Sequence, residues 1–324
     1  MLILGLQGSP RKKGNTNFLL STFLQAAERR GAVTRGIQVV ERNILPCKEY
    51  VVCEKKGYCP IDDDMAGEIY GLLRQAEVVV LASPIFFYNM TSQLKALVDR
   101  CQTFWARKYR LKLGDPLKGS RRGYLLSVGA TKGKNLFEGL QLTAKYFFDA
   151  IDARYEGSLV YRGIEGAKDL ANHPTAREEV EQAVEALMAP YAARKKVLFL
   201  CRENACRSQM AGAFAQHLAS DRLDVSTGGS RPAEKINPDT VAVMAEKKID
   251  LAFRKPQGIE AALAGGQADA VVTMGCGEEC PVAPGALRED WDLPDPSGQP
   301  LETMRRVRDE IESRVKQLIA ALCG

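Results

Sequence analysis

Histidine is scarce in this chain. Its 324 residues hold only His173 and His217, so neither half can build a zinc site on imidazoles, and no metal is expected. No apolar run approaches the ~20 residues of a membrane span, and the first residues, Met1-Leu2-Ile3-Leu4-Gly5, lack the basic start of a signal peptide. A cytoplasmic protein without membrane contact is expected. The net charge of +5 favours anionic ligands, but it is too small and dispersed to argue for nucleic acid. Low-complexity stretches and short repeats are absent. The nine cysteines are odd in number and fall in short groups, which excludes a regular disulfide framework and points to redox or metal chemistry.

What is present is ordinary globular composition, 45% apolar and 26% charged, in a chain long enough for two domains with full cores. Its most informative stretch begins at Lys195. Val197 to Leu200 is a short apolar run that reads as a buried parallel strand. Cys201 follows it, then five residues, then Arg207 and Ser208 at the head of a helical pattern through Met210, Phe214 and Leu218. A tight loop between strand and helix aims backbone amides and a helix N-terminus at one point, where negative charge is favoured. The same field favours the thiolate of a cysteine placed there. Arg207 can grip an oxyanion with two parallel hydrogen bonds, and Ser208 can donate to the Cys201 sulfur. The plain alternative is a buried cysteine beside a solvated arginine.

Cys201-x5-Arg207 resembles the phosphate loop of low-molecular-weight protein tyrosine phosphatases. The longer string, Cys201-x-x-Asn204-x-Cys206-Arg207-Ser208-Gln209-Met210-Ala211, is more similar to thioredoxin-coupled arsenate reductases of that fold. Thr273-Met274-Gly275-Cys276-Gly277-Glu278-Glu279-Cys280-Pro281 resembles their redox-cysteine segment, and Trp291-Asp292-Leu293-Pro294-Asp295-Pro296 resembles the loop carrying their general acid. The resemblance implies Cys201 as nucleophile, Arg207 as anion clamp, Asp295 as proton donor, and Cys276 and Cys280 as the disulfide pair, with their order of attack open. It also implies arsenate or another small oxyanion held by Asn204, Ala205, Cys206 and Ser208, and thioredoxin as a partner. A phosphatase needs only Cys, Arg and Asp; it has no use for two further cysteines.

The N-terminal half opens with the same logic. Met1 to Leu6 is a strand, and residues 7–17 form a loop rich in Gly, Ser, Asn and Thr ahead of a helix with Phe18, Leu19, Phe23, Leu24 and Ala27 on its apolar positions. It is neither a Gly-x-Gly-x-x-Gly fingerprint nor a Walker loop, yet its amides and hydroxyls suit a phosphate. A second buried strand, Val78 to Ala82, ends in Ser83-Pro84-Ile85-Phe86-Phe87-Tyr88-Asn89-Met90, and a third, Gly123 to Val128, ends in a loop with Gly129 and Ala130. Aromatics at the carboxyl ends of parallel strands suit a flat ring. The alternative for them is ordinary packing.

These three loops resemble the FMN-binding loops of flavodoxin-like NAD(P)H-dependent reductases. The resemblance implies FMN with NAD(P)H as co-substrate. Ser9, Arg11, Asn15, Thr16 and Asn17 would bind the phosphate, and Pro84, Ile85, Phe86, Asn89, Gly129 and Ala130 the ring. It also implies a homodimer through the flavin domain. Some relatives hold an iron–sulfur cluster in the segment that here carries Cys47, Cys53 and Cys59. A cluster ordinarily takes four thiolates, and Tyr50 stands where a fourth would complete the tighter pattern, so no cluster is expected. Thiol–disulfide exchange and no role at all remain open for these cysteines.

The expected fold is α/β: two doubly wound parallel-sheet domains, flavodoxin-like over residues 1–192 and low-molecular-weight tyrosine phosphatase-like over residues 193–324. The expected function is an arsenate reductase with an in-chain FMN domain. The competing reading is a low-molecular-weight protein tyrosine phosphatase joined to a flavin-binding redox sensor. A weaker one is a flavin enzyme acting on arsenicals or quinones beside an independent second domain.

Overall fold

The computed structural model describes residues 1–264, 266–275 and 285–324. Contacts divide the chain into two compact units: Met1–Lys112 with Ser120–Pro190, and Leu113–Gly119 with Tyr191–Gly324.

The first unit runs β1 (Leu2–Gln7), α1 (Asn15–Arg29), β2 (Val33–Gln38), α2 (Val52–Lys56), α3 (Tyr70–Gln75), β3 (Val78–Pro84), α4 (Ser92–Arg100), α5 (Gln102–Tyr109), β4 (Arg122–Gly129), α6 (Glu138–Ala150), β5 (Arg154–Arg162) and α7 (Ala176–Met188). Its strands form one parallel sheet in the order β2-β1-β3-β4-β5, the flavodoxin-like order. The central strands are continuous apolar runs because helices cover both faces; Val78 to Ala82 are all fully buried. The strand order reverses between β1 and β3, and ligands of such sheets sit at the carboxyl ends beside that reversal.

The second unit runs β6 (Lys195–Cys201), α8 (Arg207–Ala219), β7 (Leu223–Gly229), α9 (Pro238–Glu246), α10 (Ile259–Leu263), β8 (Ala270–Met274), β9 (Leu287–Asp290) and α11 (Leu301–Cys323). Its strands are also parallel, ordered β7-β6-β8-β9. Phe199, Met210, Phe214, Val243, Ile311 and Val315 pack in one core between β6, α8, α9 and α11. Asn237 caps α9, accepting from the Asp239 and Thr240 amides at 2.8 and 3.3 Å, with Pro238 in the first turn. Here the reversal falls between β6 and β8, so Cys201, the last residue of β6, stands at the switch point. Among the described residues no helix is long and apolar enough to cross a membrane.

Candidate active site

The loop between β6 and α8 is held from outside. The carbonyls of Cys201, Arg202, Glu203 and Ala205 accept from the amides of Ser230, Arg231, Ala233 and Asn237 at 2.8–3.3 Å. Because a trans peptide sets its C=O and N–H in opposite directions, the amides of residues 202, 203, 204 and 206 face the other way, into the loop. The Asn204 amide indeed donates to Cys201 Sγ at 3.2 Å. Ser208 Oγ lies 3.0 Å from the same sulfur and accepts from Asn204 Nδ2 at 2.8 Å, which leaves its O–H to donate to Cys201.

Asn204 is fully buried with φ +52°. Its Oδ1 accepts from Gln209 Nε2 at 3.0 Å and from the Gln257 amide at 2.9 Å. Gly229, at the end of β7, presses on this loop: a Cβ there would stand 2.8 Å from both Arg202 O and Asn204 N. Ala205 and Cys206 are buried, and burial pushes the Cys206 thiol up to about 11.

Arg207 opens α8. Its Nη1 donates to Leu293 O at 3.1 Å and its Nη2 to Asp295 Oδ2 at 3.2 Å. Asp295 is half-exposed at 54% while Arg207 is 8% exposed, so the carboxylate closes the solvent side of a buried guanidinium. Its loop is anchored by Trp291, whose amide donates to Thr273 O at 2.8 Å and whose ring packs 5.9 Å from Phe199. Gly275, just past β8, has φ +68°, and a Cβ there would lie 3.2 Å from Arg207 Nη1. Cys276 and Cys280 lie outside the described residues. Thus Cys201, Asn204, Ser208, Arg207 and Asp295 meet at one strand end. The supporting Gly229 and Gln257 carry no motif that the sequence reveals, and Leu293, inside the general-acid string, contributes only its backbone carbonyl.

In the first unit three loops leave the adjacent ends of β1, β3 and β4. Ser9 and Thr16 are buried. The Ser9 amide donates to Gln7 Oε1 at 3.1 Å and Ser9 Oγ accepts from the Arg11 amide at 3.2 Å; the Arg11 side chain is exposed. Asn15 ties this loop to another, donating to Gly166 O at 2.7 Å and accepting from the Leu170 amide at 3.1 Å, and Asn17 accepts from Gln38 Nε2 at 3.3 Å. A Cβ on Gly8 would stand 2.8 Å from Leu94, and Thr91 Oγ1 donates to Gly8 O at 2.7 Å, so α4 clamps the loop.

After Pro84, the Ile85 amide donates to Val128 O at 2.9 Å, and Phe86 and Asn89 exchange backbone hydrogen bonds at 2.8 and 3.0 Å. Phe87 and Tyr88, between them, both have positive φ, +48° and +62°, a tight turn normally left to Asn and Gly. Asn89 braces it through the Met90 amide and Thr143. Phe86, Phe87 and Tyr88 are 49%, 103% and 54% exposed, so they pack in no core of this chain. Gly129 is buried and Ala130 exposed at the end of β4.

An FMN-sized ligand fits these residues on a specific count: Gln7 Nε2 is buried at the foot of the first loop and finds no hydrogen-bond partner among the described residues. It is a spare buried donor that an oxygen of a ligand could satisfy. The loop with Cys47, Cys53 and Cys59 fits a four-thiolate iron–sulfur cluster poorly, because position 50 is Tyr.

Fold and site together define a flavodoxin-like reductase followed by a phosphatase-fold domain. The chain belongs to the NADPH-dependent FMN reductase family over residues 1–140 and to the low molecular weight phosphotyrosine protein phosphatase family over residues 196–323. Over 130 residues it is 37% identical to the glutaredoxin arsenate reductase of Synechocystis, covering 40% of this chain and 98% of that one. It is 35% identical over 132 residues to the iron–sulfur flavoprotein of Methanosarcina thermophila, covering 41% of this chain but only 65% of the relative's length. It is 31% identical over 147 residues to an iron–sulfur flavoprotein of Methanocaldococcus jannaschii, covering 45% and 72%. Membership makes the chain an oxidoreductase and brings flavin and NAD(P)H use with it.

Proposed function

We propose that residues 193–324 reduce arsenate to arsenite and that residues 1–192 hold FMN and oxidise NAD(P)H. The observation that carries the first part is the inward ring of loop amides around Cys201, with Arg207 and Asp295 on one side and the chain heading from Gly275 into two more cysteines. The Cys201 thiolate bonds to arsenic while the amides and Arg207 hold the oxyanion. Asp295 gives a proton to the departing oxygen, which leaves as water. A thiol at Cys276 or Cys280 then attacks Cys201 Sγ; the As–S electron pair stays on arsenic, which leaves as arsenite. The remaining cysteine displaces Cys201 and a disulfide is left.

Ser9, Thr16, Asn17 and Gln7 would hold the flavin phosphate, and Pro84 to Phe86, Gly129 and Ala130 the ring. When bound, FMN supplies two-electron exchange with NAD(P)H, and in this reading those equivalents reduce the disulfide of the same chain. Joining the modules raises their effective concentration to the order of millimolar. Soluble thioredoxin is the competing donor. The exposed Phe86, Phe87 and Tyr88, with Leu142 and Tyr146 at 56% and 63% exposure on α6, are the surface a second copy of the chain would cover.

Cys201→Ser tests the assignment. It should abolish arsenite formation while NAD(P)H still bleaches bound flavin; arsenite formed at an unchanged rate places the nucleophile elsewhere. The phosphatase family match supports a second reading. Hydrolysis of an aryl phosphate outpacing arsenate reduction by orders of magnitude would select it.

A further inference from the structure

The loop from Leu45 to Asp63 is used by neither proposed site, yet it is fixed with care. Arg100, on α4, is buried and pairs with the buried Asp63 at 2.5 Å. The same guanidinium donates to Leu45 O at 2.9 Å and to Ile61 O at 3.3 Å. Both ends of the loop are therefore tied to one side chain. Cys47 lies two residues beyond the first tie and Cys59 two residues before the second, so each can reach no more than about 7 Å from it. The third thiol, Cys53, stands in α2, whose end is held through Gly57: the Gly57 amide donates to Cys53 O at 2.9 Å, and Arg107 Nη1 donates to Gly57 O at 2.8 Å. The arm between Cys47 and Cys53 turns back through Glu49 and Val51, both left-handed at φ +53° and +59°. A β-branched residue holds that conformation only where its surroundings impose it. All three cysteines are free thiols, one exposed and two half-buried.

We propose that Cys47, Cys53 and Cys59 form a three-thiol site for trivalent arsenic, taken up as arsenite. Its supply rests on the proposed reduction of arsenate by the second domain. Trivalent arsenic forms three bonds and is soft, so three thiols complete its shell, whereas a four-thiolate cluster would lack a ligand at Tyr50. The uptake balances without electron transfer: three As–O bonds break, three As–S bonds form, and each thiol proton leaves with a hydroxide as water. Burial, then the neighbouring Cys59 and Cys47, push the Cys53 thiol up, and a thiol that keeps its proton can hand it to a departing hydroxide. Among the described residues no three such groups are already gathered as an ion site, so the thiols close on arsenic as it binds.

The test uses the full chain, reduced and oxygen-free, with Cys201→Ser/Cys276→Ser/Cys280→Ser removing the second domain's proposed redox thiols; Cys206 and Cys323 stay and are counted before and after arsenite. Sodium arsenite is titrated while free thiols are counted, and arsenic X-ray absorption reads the neighbours. One arsenic, three lost thiols and three sulfur neighbours are expected. Cys53→Ser should weaken binding by about 10²-fold, the scale of a lost tethered contact, with flavin absorbance retained as the check on folding. Absence of binding, or binding unchanged in Cys47→Ser/Cys53→Ser/Cys59→Ser, overturns the proposal. So do iron and inorganic sulfide in anaerobically purified protein that vanish with those three substitutions. Arsenate turnover by the unsubstituted chain is measured separately, so failure of the reductase reading is told apart.

Discussion

Asn204 joins three parts of the second site: its amide nitrogen donates to Ser208, its carbonyl oxygen accepts from Gln209 and Gln257, and its backbone N–H reaches Cys201 Sγ. Asn204→Ala removes three buried side-chain hydrogen bonds and leaves partners unmet. At about 1 kcal/mol for each bond, the second unit should lose roughly 3 kcal/mol, read as a lower urea midpoint, and arsenate adduct formation should slow about tenfold as the Ser208 hydroxyl that donates to the sulfur loses its Asn204 anchor. In the first unit, Thr16→Val keeps the shape of a buried side chain and removes its hydroxyl, so FMN should dissociate more readily by roughly 10-fold, about one hydrogen bond, in a fluorescence titration. Residue-scale legibility follows chain proximity. Cys201, Asn204, Arg207 and Ser208 are readable because one short string carries them. Gly229, Gln257 and the Leu293 carbonyl are not, because they act through backbone groups or empty space that only folding brings near, and Gln7 is not, because only folding buries its side chain. Phe87 and Tyr88 hide their turn because neither Asn nor Gly marks it.

At the scale of elements, α11 is strapped to α9 by charge. Glu246 accepts from Arg305 at 2.8 and 3.0 Å and from Arg308 at 2.7 Å. Those bonds, Arg305 first and Arg308 next, hold the Glu246 carboxyl down at about 2, against an ordinary 4.5. A lowered carboxyl stabilises the fold above its unfolded value and loses that contribution as pH falls through the folded one. Protection of the α11 amides from hydrogen exchange should therefore drop between about pH 4.5 and 2, and Glu246→Gln should flatten that dependence. Raised salt should weaken the part carried by Glu246 and Arg305, whose charges reach solvent, more than the part carried by the buried Arg308.

The strands differ in how plainly they announce themselves. β3 and β6 are uninterrupted apolar runs with helices on both sides. β2, with Thr34, Arg35 and Gly36, and β5, with Arg154, Glu156 and Arg162, lie at sheet edges, where charge blunts an open edge and erases the apolar pattern. The loops after β1, β3 and β4 stand out in the sequence because each follows an inner strand of the sheet.

At the scale of the whole molecule, an FMN reductase domain joined in one chain to a proposed arsenate reductase makes a demand on electron flow. In the proposed reaction each arsenate turnover would end in a disulfide, and a donor in the same chain would need no partner to reach it. The direct measurement is oxygen-free oxidation of NAD(P)H by the purified, flavin-loaded chain on addition of arsenate, with no thioredoxin or glutaredoxin present, alongside Cys201→Ser. The account predicts multiple turnovers, one arsenite formed for each NAD(P)H consumed, and none in the variant. NAD(P)H oxidation that ignores arsenate, or arsenite formation that stops after a single turnover until thioredoxin is added, contradicts it.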